Sequence, residues 1–212
     1  MSSLNAGFEL KRSGTGVLTI GKEIGYDETH LDQYGFDLGD KDCRVMLINP
    51  PVSFDVFYGE WDLSDVKSSS PPLGILSLAA LIRKYGYHVD VVDAHADGLS
   101  LEQLKDRVRA FRPHVVGTTA MTVMISSASA ILQAVKEVDP SILTIAGGVH
   151  LTAEPTETLH RYPQIDFGTI GEGELAFLDF LDRVTKQRDI RQSESLVWRD
   201  DAGHLHANPR RR

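Results

Sequence analysis

Residues 71–93 read PPLGILSLAALIRKYGYHVDVVD, and this stretch predicts one helix followed by one buried strand. Apolar residues recur at three- and four-residue spacing as far as Gly86, which is a usual helix stop. The two prolines suit the first helical turn, and Ser70 before them is expected to cap it. The valine-rich run HVDVVD (88–93) is typical of a strand. A helix leading into such a strand is half of a β-α-β unit.

The same alternation continues on both sides of this stretch. RVMLIN (44–49) precedes it as a continuous apolar strand, and three more strands are predicted over residues 114–119, 142–148 and 165–170. Helical spacing is found over residues 101–111, 125–138 and 174–186, with a short helix near 155–161. Five strands alternating with five helices predict an α/β fold with a parallel sheet covered on both faces.

The two ends of the chain have a different pattern. Residues 1–42 are polar and rich in glycine, and we interpret them as an N-terminal extension. Residues 189–212 predict a β-hairpin that turns at Asp201-Ala202-Gly203 and lies outside the main sheet. His204 and His206 share one face of that hairpin and are expected to be surface residues without a carboxylate partner.

Composition excludes several classes of function. The 212 residues carry a net charge of −8, which disfavours binding to nucleic acid or to an anionic membrane. No apolar run approaches eighteen residues and the N-terminus lacks an apolar signal core, so a cytoplasmic protein is expected. The single cysteine, Cys43, excludes internal disulfides, a zinc ribbon and a self-contained iron–sulfur site. We expect it to be a small buried residue at a strand entrance.

The carboxyl ends of the predicted strands share a composition that suits a ligand. They read NPP, DAHADG, GTTAMT, AGGVH and GEGE, and most are rich in small or hydroxyl residues. In an open parallel sheet, ligands bind beyond these ends. Small residues allow a large planar ligand to approach the backbone closely, and hydroxyls supply hydrogen bonds.

Another motif at these ends resembles a dinucleotide-binding fingerprint, but its position and charges argue against nucleotide binding. GEGELA (171–176) matches a dinucleotide fingerprint, but it follows the last strand, and Glu172 and Glu174 would repel a pyrophosphate. No P-loop and no nucleophile elbow occurs, so the chain alone is expected to be non-catalytic.

The ordered set NPP, SPPLGILSLAALIRKYGYHVDVVDA, PHVVGTT, GGVH and GEGE resembles the N-terminal cobalamin-binding domain of cobalamin-dependent radical S-adenosylmethionine enzymes. That resemblance covers residues 44–186 and implies a flavodoxin-like, doubly wound sheet of strand order 2-1-3-4-5. It implies a cobalamin-binding domain over residues 43–188, with residues 189–212 as the connector to a radical S-adenosylmethionine barrel. S-adenosylmethionine and a [4Fe–4S] cluster would bind to that barrel, which these residues do not include.

The resemblance also implies a carrier role and a set of binding residues. Cobalamin would bind with its dimethylbenzimidazole off cobalt and its nucleotide tail beside the glycine pair, and the parent enzyme would use it for methyl transfer or related radical chemistry. The residues expected to bind cobalamin lie at the strand ends and at the start of the first helix: Asn49, Pro50, Pro51, Pro71, Pro72, Leu73, Gly74, Thr118, Thr119, Met121, Thr122, Gly147, Gly148, His150, Gly171, Glu172, Gly173 and Glu174.

A histidine motif occurs at residues 93–98, where DAHADG spells the D-x-H-x-x-G by which many cobalamin proteins present a histidine to cobalt. In those relatives the motif follows the first strand, and its glycine opens the first helix. Here that glycine is Gly74, which puts Pro71 at the ligand position, whereas His95 follows the second strand. Thr119-Ala120-Met121 and Gly147, 28 residues after Thr119, keep the spacing of the relatives. We therefore expect no histidine of the protein to ligate cobalt.

One alternative class remains open on the residues alone. A flavodoxin-like interaction module, or a receiver-like one, would use the same glycines only for turns. It would bind no cobalamin and would stay colourless.

Overall fold

The computed structural model describes residues 9–12, 18–21, 35–39, 41–51 and 71–210, and the chain divides into two units. The first unit, Met1–Phe36, contains two short strands, β1 (Glu9–Arg12) and β2 (Leu18–Gly21). They pair antiparallel, with Leu10 opposite Ile20. The second unit, Asp37–Arg212, contains the sheet that the sequence predicts.

Five parallel strands form the centre of that sheet. They are β3 (Lys41–Asn49), β4 (Tyr87–Asp93), β5 (Val115–Thr119), β6 (Leu143–Gly147) and β7 (Phe167–Thr169). Their spatial order is β4-β3-β5-β6-β7, which is the predicted order 2-1-3-4-5. The predicted flavodoxin-like fold is confirmed.

The C-terminal hairpin corrects one prediction. Strands β8 (Leu196–Arg199) and β9 (Leu205–Ala207) pair antiparallel with each other, and β8 pairs antiparallel with β7. The hairpin therefore extends the main sheet to seven strands, and its predicted place outside the sheet is wrong. The physical reason is that β7 would otherwise be an open edge, and the buried side chains of Leu196 and Val197 cover it.

The hairpin also corrects the expectation for its histidines. Oδ2 of Asp200 lies 3.2 Å from His204 Nδ1 and 3.0 Å from His206 Nε2. The two histidines therefore do have a carboxylate partner. These contacts, led by the one with His206, hold the pKa of Asp200 well below its ordinary value.

Six α-helices connect the strands of the described residues. They are α1 (Leu73–Lys84), α2 (Leu101–Phe111), α3 (Ile125–Val138), α4 (Val149–Ala153), α5 (Pro155–Arg161) and α6 (Gly173–Thr185). A capping box begins α2, because Ser100 accepts from the Gln103 backbone N–H while Gln103 Oε1 accepts from the Ser100 N–H. The expected cap of α1, Ser70, lies outside the described residues, and Pro72 occupies the N-cap position, so the two prolines precede the first turn instead of forming it. Helix α4 was not predicted.

The core lies on both faces of the sheet, because successive strand residues point to opposite faces. Met46 and Ile48 on β3 are fully buried in one cluster with residues of α2, α3 and α5, such as Leu104, Leu132 and Leu159. Leu47 points to the other face, where it closely approaches Gly117. Cys43, at the start of β3, is 2% exposed, and burial raises the pKa of its thiol to about 11.

Candidate functional site

A cleft of about 460 Å³ opens at the carboxyl ends of the central strands. Its floor is formed by residues of β5, β6 and β7, and its walls by the first turns of α1 and α6 and by the segment that runs from Gly147 into α4. Carboxyl ends of neighbouring parallel strands meet at one edge of the sheet, so the fold brings these loops together although they are far apart in sequence.

Half of the predicted binding residues line this cleft. They are Gly74, Thr118, Thr119, Gly147, Gly148, Gly171, Glu172, Gly173 and Glu174. The other described candidates are not part of the lining: Asn49, Pro50, Pro51, Pro71, Pro72, Leu73, Met121, Thr122 and His150. Residues 52–70, which follow Pro51 and precede Pro71 in the sequence, lie outside the described residues.

Sequence reasoning missed several residues of the lining. On α1 and α6 these are Ile75, Leu78 and Phe177, on α4 they include Val149 and Thr152, and outside the helices they include Thr169 and Arg210. Leu78 follows Gly74 by four residues and Ile75 by three, and this helical spacing is a signal that could have placed Leu78 on the cleft face of α1. Arg210 lies beyond the last strand, and its sequence carries no such signal.

Two of the cleft glycines leave open space. A Cβ placed on Gly74, in the first turn of α1, would meet no atom within 4 Å, and the same holds for Gly173 at the start of α6. The volume that side chains at positions 74 and 173 would occupy is therefore part of the cleft. These glycines widen it between the two helices.

The other glycines of the lining are required by the protein itself. Gly148 has a φ of +104°, and a Cβ there would lie 2.8 Å from the carbonyl oxygen of Ala120. A Cβ on Gly147 would lie 2.6 Å from Thr169 Oγ1. The glycine pair therefore allows the end of β6 to pack against its neighbours, in addition to any close approach by a ligand.

Hydroxyl groups of the cleft are held by backbone partners. Thr118 Oγ1 donates to the carbonyl oxygen of Ile48 at 3.0 Å. Thr152 Oγ1 donates to the Gly148 carbonyl at 3.1 Å and accepts from the Gly171 N–H at 2.9 Å. These bonds fix the hydroxyl oxygens, and each oxygen keeps a lone pair for a further donor.

Charge in the cleft is mixed. Glu172 and Glu174 lie at the N-terminus of α6, and Ser77 of α1 donates to Glu174 Oε1 at 3.4 Å across the cleft. Arg210 enters from the C-terminal segment. No other basic side chain of the described residues belongs to the lining.

The histidine motif at residues 93–98 lies in the turn after β4. Asp93 Oδ1 accepts from Asn49 Nδ2 at 2.9 Å and from the Ala96 N–H at 3.1 Å, so this carboxylate holds the ends of β3 and β4 together. His95 is not part of the cleft lining. In the described part of the chain, no three His, Cys, Asp or Glu residues are grouped so that they could hold a metal ion.

His150 lies beside the cleft on α4. Its backbone N–H donates to the Ala120 carbonyl at 3.1 Å, and its Nδ1 lies 3.2 Å from Thr122 Oγ1. The neighbouring side chains of Met121 and Val149 are 48% and 67% exposed. The surface beside the cleft is therefore partly apolar.

Comparison with known families matches this arrangement. The model of the B12-binding domain matches residues 62–181, more than half of the chain, and these residues carry most of the cleft. The chain belongs to the B12-binding domain family. Cobalamin, the cofactor that the resemblance implies, is the one that this family binds.

Curated relatives of this B12-binding domain are longer chains, and the match covers only part of each. An uncharacterized methyltransferase of Pyrococcus horikoshii is 27% identical over 170 residues, which are 80% of this chain and 36% of the relative. The anaerobic magnesium-protoporphyrin IX monomethyl ester cyclase of Rubrivivax gelatinosus is 35% identical over 126 residues, 59% of this chain and 23% of the cyclase. The chain thus spans about a quarter to a third of the length of such relatives.

Solved structures show the same fold. The cobalamin-dependent S-adenosylmethionine radical enzyme OxsB, with aqua-cobalamin and S-adenosylmethionine bound, superposes with a TM-score of 0.63 at 17% identity, over 85% of this chain and 23% of that chain. The resemblance to cobalamin-dependent radical S-adenosylmethionine enzymes predicted from the sequence is confirmed. Among the described residues, no helix is both long and apolar enough to cross a membrane.

Proposed function

We propose that this B12-binding domain holds cobalamin base-off, with the nucleotide tail in the cleft and with no protein histidine on cobalt. The observation that carries the proposal is the open space at Gly74 and Gly173 on opposite walls of the cleft. A bulky planar base needs such space between two helices, and a side chain at either position would occupy it.

The lining of the cleft fits the chemical groups of the tail. Apolar residues such as Ile145 and Phe177 suit the dimethylbenzimidazole ring, and the hydroxyls of Thr119 and Thr152 suit its ribose. The N-termini of α1 and α6 both border the cleft and place backbone N–H groups there. We assign the tail to Thr118, Thr119, Gly147, Gly148 and the loop of residues 171–174.

The corrin ring is assigned to the surface around the mouth of the cleft. Exposed apolar side chains concentrate there: Leu73 is 75% and Val149 67% exposed, and Leu76 and Met121 are also exposed. Single exposed apolar residues are ordinary, but a group at one end of the sheet indicates a surface that is covered in use. We assign the remaining candidates to the same surface: Asn49, Pro50, Pro51, Pro71, Pro72, Thr122 and His150.

The register of α1 supports the proposed absence of a histidine ligand. Helix α1 begins at Leu73, so Gly74 lies in its first turn and Pro71 lies three residues earlier, where relatives that ligate cobalt carry histidine. Proline has no lone pair to donate. His95 follows β4 rather than β3, and its expected partner Asp93 is engaged by Asn49 and Ala96.

The chain is proposed to serve as the cofactor-carrying part of a radical S-adenosylmethionine enzyme of methyltransferase or cyclase type. Bound cobalamin would supply methyl transfer or related radical chemistry, whereas S-adenosylmethionine and a [4Fe–4S] cluster would bind to a barrel domain. Residues 43–188 hold the cofactor, and residues 189–212 connect it to that barrel. The contribution of these residues is to orient cobalamin and to exclude water from its tail.

The test is a titration with hydroxocobalamin, followed by removal of unbound cofactor and a visible spectrum. We expect coloured protein in a one-to-one complex with the spectrum of base-off cobalamin. Colourless protein would support the interaction module instead. A base-on spectrum would contradict the placement of the tail in the cleft.

A further inference from the structure

The C-terminal segment places one positively charged side chain in the cleft, and backbone hydrogen bonds fix the position of this segment. The Asn208 N–H donates to the Leu196 carbonyl at 2.8 Å, and the Ser195 N–H donates to the Pro209 carbonyl at 2.8 Å. Ser195 in turn accepts from the Ile170 N–H at 2.9 Å, just before Gly171. The residue that follows Pro209 therefore lies next to the loop after β7.

That residue is Arg210, and its guanidinium packs directly on Gly171. A Cβ placed on Gly171, whose φ is +82°, would lie 2.5 Å from Arg210 Nη2 and 2.9 Å from Nε. The guanidinium thus takes the space that any other residue at position 171 would need. It lines the cleft, and among the described residues no carboxylate forms an ion pair with it.

An anionic cobalamin tail in this cleft would need a positively charged partner, and Arg210 is placed to provide it. The tail of cobalamin contains a phosphodiester with one negative charge, and Glu172 and Glu174 already place carboxylates in the lining. An anion moved out of water needs a partner of opposite charge, and a guanidinium presents two parallel N–H donors to phosphate oxygens.

We propose that Arg210 binds the phosphodiester of the nucleotide tail and so selects corrinoids that carry a complete tail. This inference rests on the proposed function, because it assumes that the tail enters the cleft. The N-terminus of α6 at Gly173 adds backbone N–H groups on the same side of the cleft.

The experiment compares two corrinoids that differ in the tail. Cob(II)alamin carries the phosphodiester, ribose and base, and cob(II)inamide lacks all three. Both are titrated without oxygen into wild-type protein, Arg210→Gln, Arg210→Lys and the matched control Arg109→Gln, an exposed arginine of α2 that pairs with Asp106. We expect Arg210→Gln to bind cob(II)alamin about 10-fold more weakly and cob(II)inamide equally well.

Two further readouts separate a phosphate contact from a general loss of packing. Arg210→Lys keeps the charge without the paired donors, so its affinity for cob(II)alamin should fall between wild type and Arg210→Gln. Raising the ionic strength should weaken cob(II)alamin binding by wild type more than by Arg210→Gln. Arg109→Gln should behave as wild type.

Other outcomes would overturn the proposal. Equal weakening of both corrinoids by Arg210→Gln would show a role outside the tail, and tighter binding of cob(II)alamin would show that Arg210 blocks the cleft. Unchanged affinity with a cofactor-binding wild type would refute only the role of Arg210. A wild-type protein that binds neither corrinoid would refute the cobalamin proposal itself.

Discussion

The substitution Gly74→Leu tests cofactor binding in the cleft independently of the stability of the fold. Gly74 is the second residue of α1, it lines the cleft, and a Cβ there would meet no atom within 4 Å. Leucine is a better helix former than glycine by roughly 0.5–1 kcal/mol in a helix interior. The variant should therefore fold at least as well as the wild type.

The same side chain should impair cofactor binding. It would project four carbon atoms into the cleft of about 460 Å³, in the space assigned to the tail. Forcing extra volume into a packed site costs about 1–3 kcal/mol, which corresponds to a roughly 5- to 150-fold loss of affinity. Gly74→Ala adds only the Cβ and should lose less than about 3-fold.

The assay is a cobalamin titration followed by absorbance, together with urea unfolding of the cofactor-free proteins. We expect stability to be equal or higher in Gly74→Leu while affinity falls, and we expect cobinamide binding to change much less than cobalamin binding. Unchanged cobalamin affinity in a well-folded Gly74→Leu would refute the placement of the tail beside α1. Equal losses for both corrinoids would refute it as well.

Four other predictions concern single residues. His95→Ala should leave the electron paramagnetic resonance of bound cobalt(II) unchanged, and a three-line nitrogen splitting that disappears in this variant would prove histidine ligation. Gly148→Val should lower the free energy of unfolding by about 1–3 kcal/mol even without cofactor, because its φ is positive and its Cβ meets the Ala120 carbonyl; unchanged urea unfolding would contradict this. The Cys43 thiol, with its pKa raised from 9.0 to about 11, should carry about 100-fold less thiolate at pH 8 than an ordinary thiol, so iodoacetamide should label it only after unfolding. Asp200→Asn should destabilise the protein near pH 6, and because the folded pKa of Asp200 is depressed, the difference from wild type should shrink as pH falls below its ordinary 3.8; a thermal-melting difference that stays constant from pH 6 to pH 3 would refute this.

The sequence was a good guide to the repeated part of the fold. Helices α2 and α3 were predicted with the bounds observed, because apolar spacing reports which face of a helix is buried. Helix α4 has only five residues, too few for such a period, and it was missed. The position of the hairpin was also missed, since Val197 and its neighbours predict a strand but do not identify the edge that it covers.

The part of the cleft that strand-end residues form could be predicted from the sequence. The side chains that enter it from distant segments could not. Glycines and threonines at strand ends indicated Thr118, Thr119 and Gly147, because parallel strands must bring their carboxyl ends together. Phe177 could not be singled out, because it is one of several apolar residues in the amphipathic pattern of α6. Arg210 reaches the site only through the pairing of β7 with β8, which local sequence does not encode.

The pairing of β7 with β8 also sets where this domain can be cut or joined. Homology to the family ends at residue 181, yet the backbone groups of Phe167, Gly168 and Thr169 pair with residues 196–198. A chain shortened at residue 188 would leave that three-residue strand as an open edge and uncover the apolar surface beneath Val197. It would also remove Arg210 from the cofactor cleft. A fusion partner joined at residue 181 would thus lie beside an unpaired sheet edge and a cleft that lacks the Arg210 guanidinium, whereas a junction after Arg210 would keep both complete.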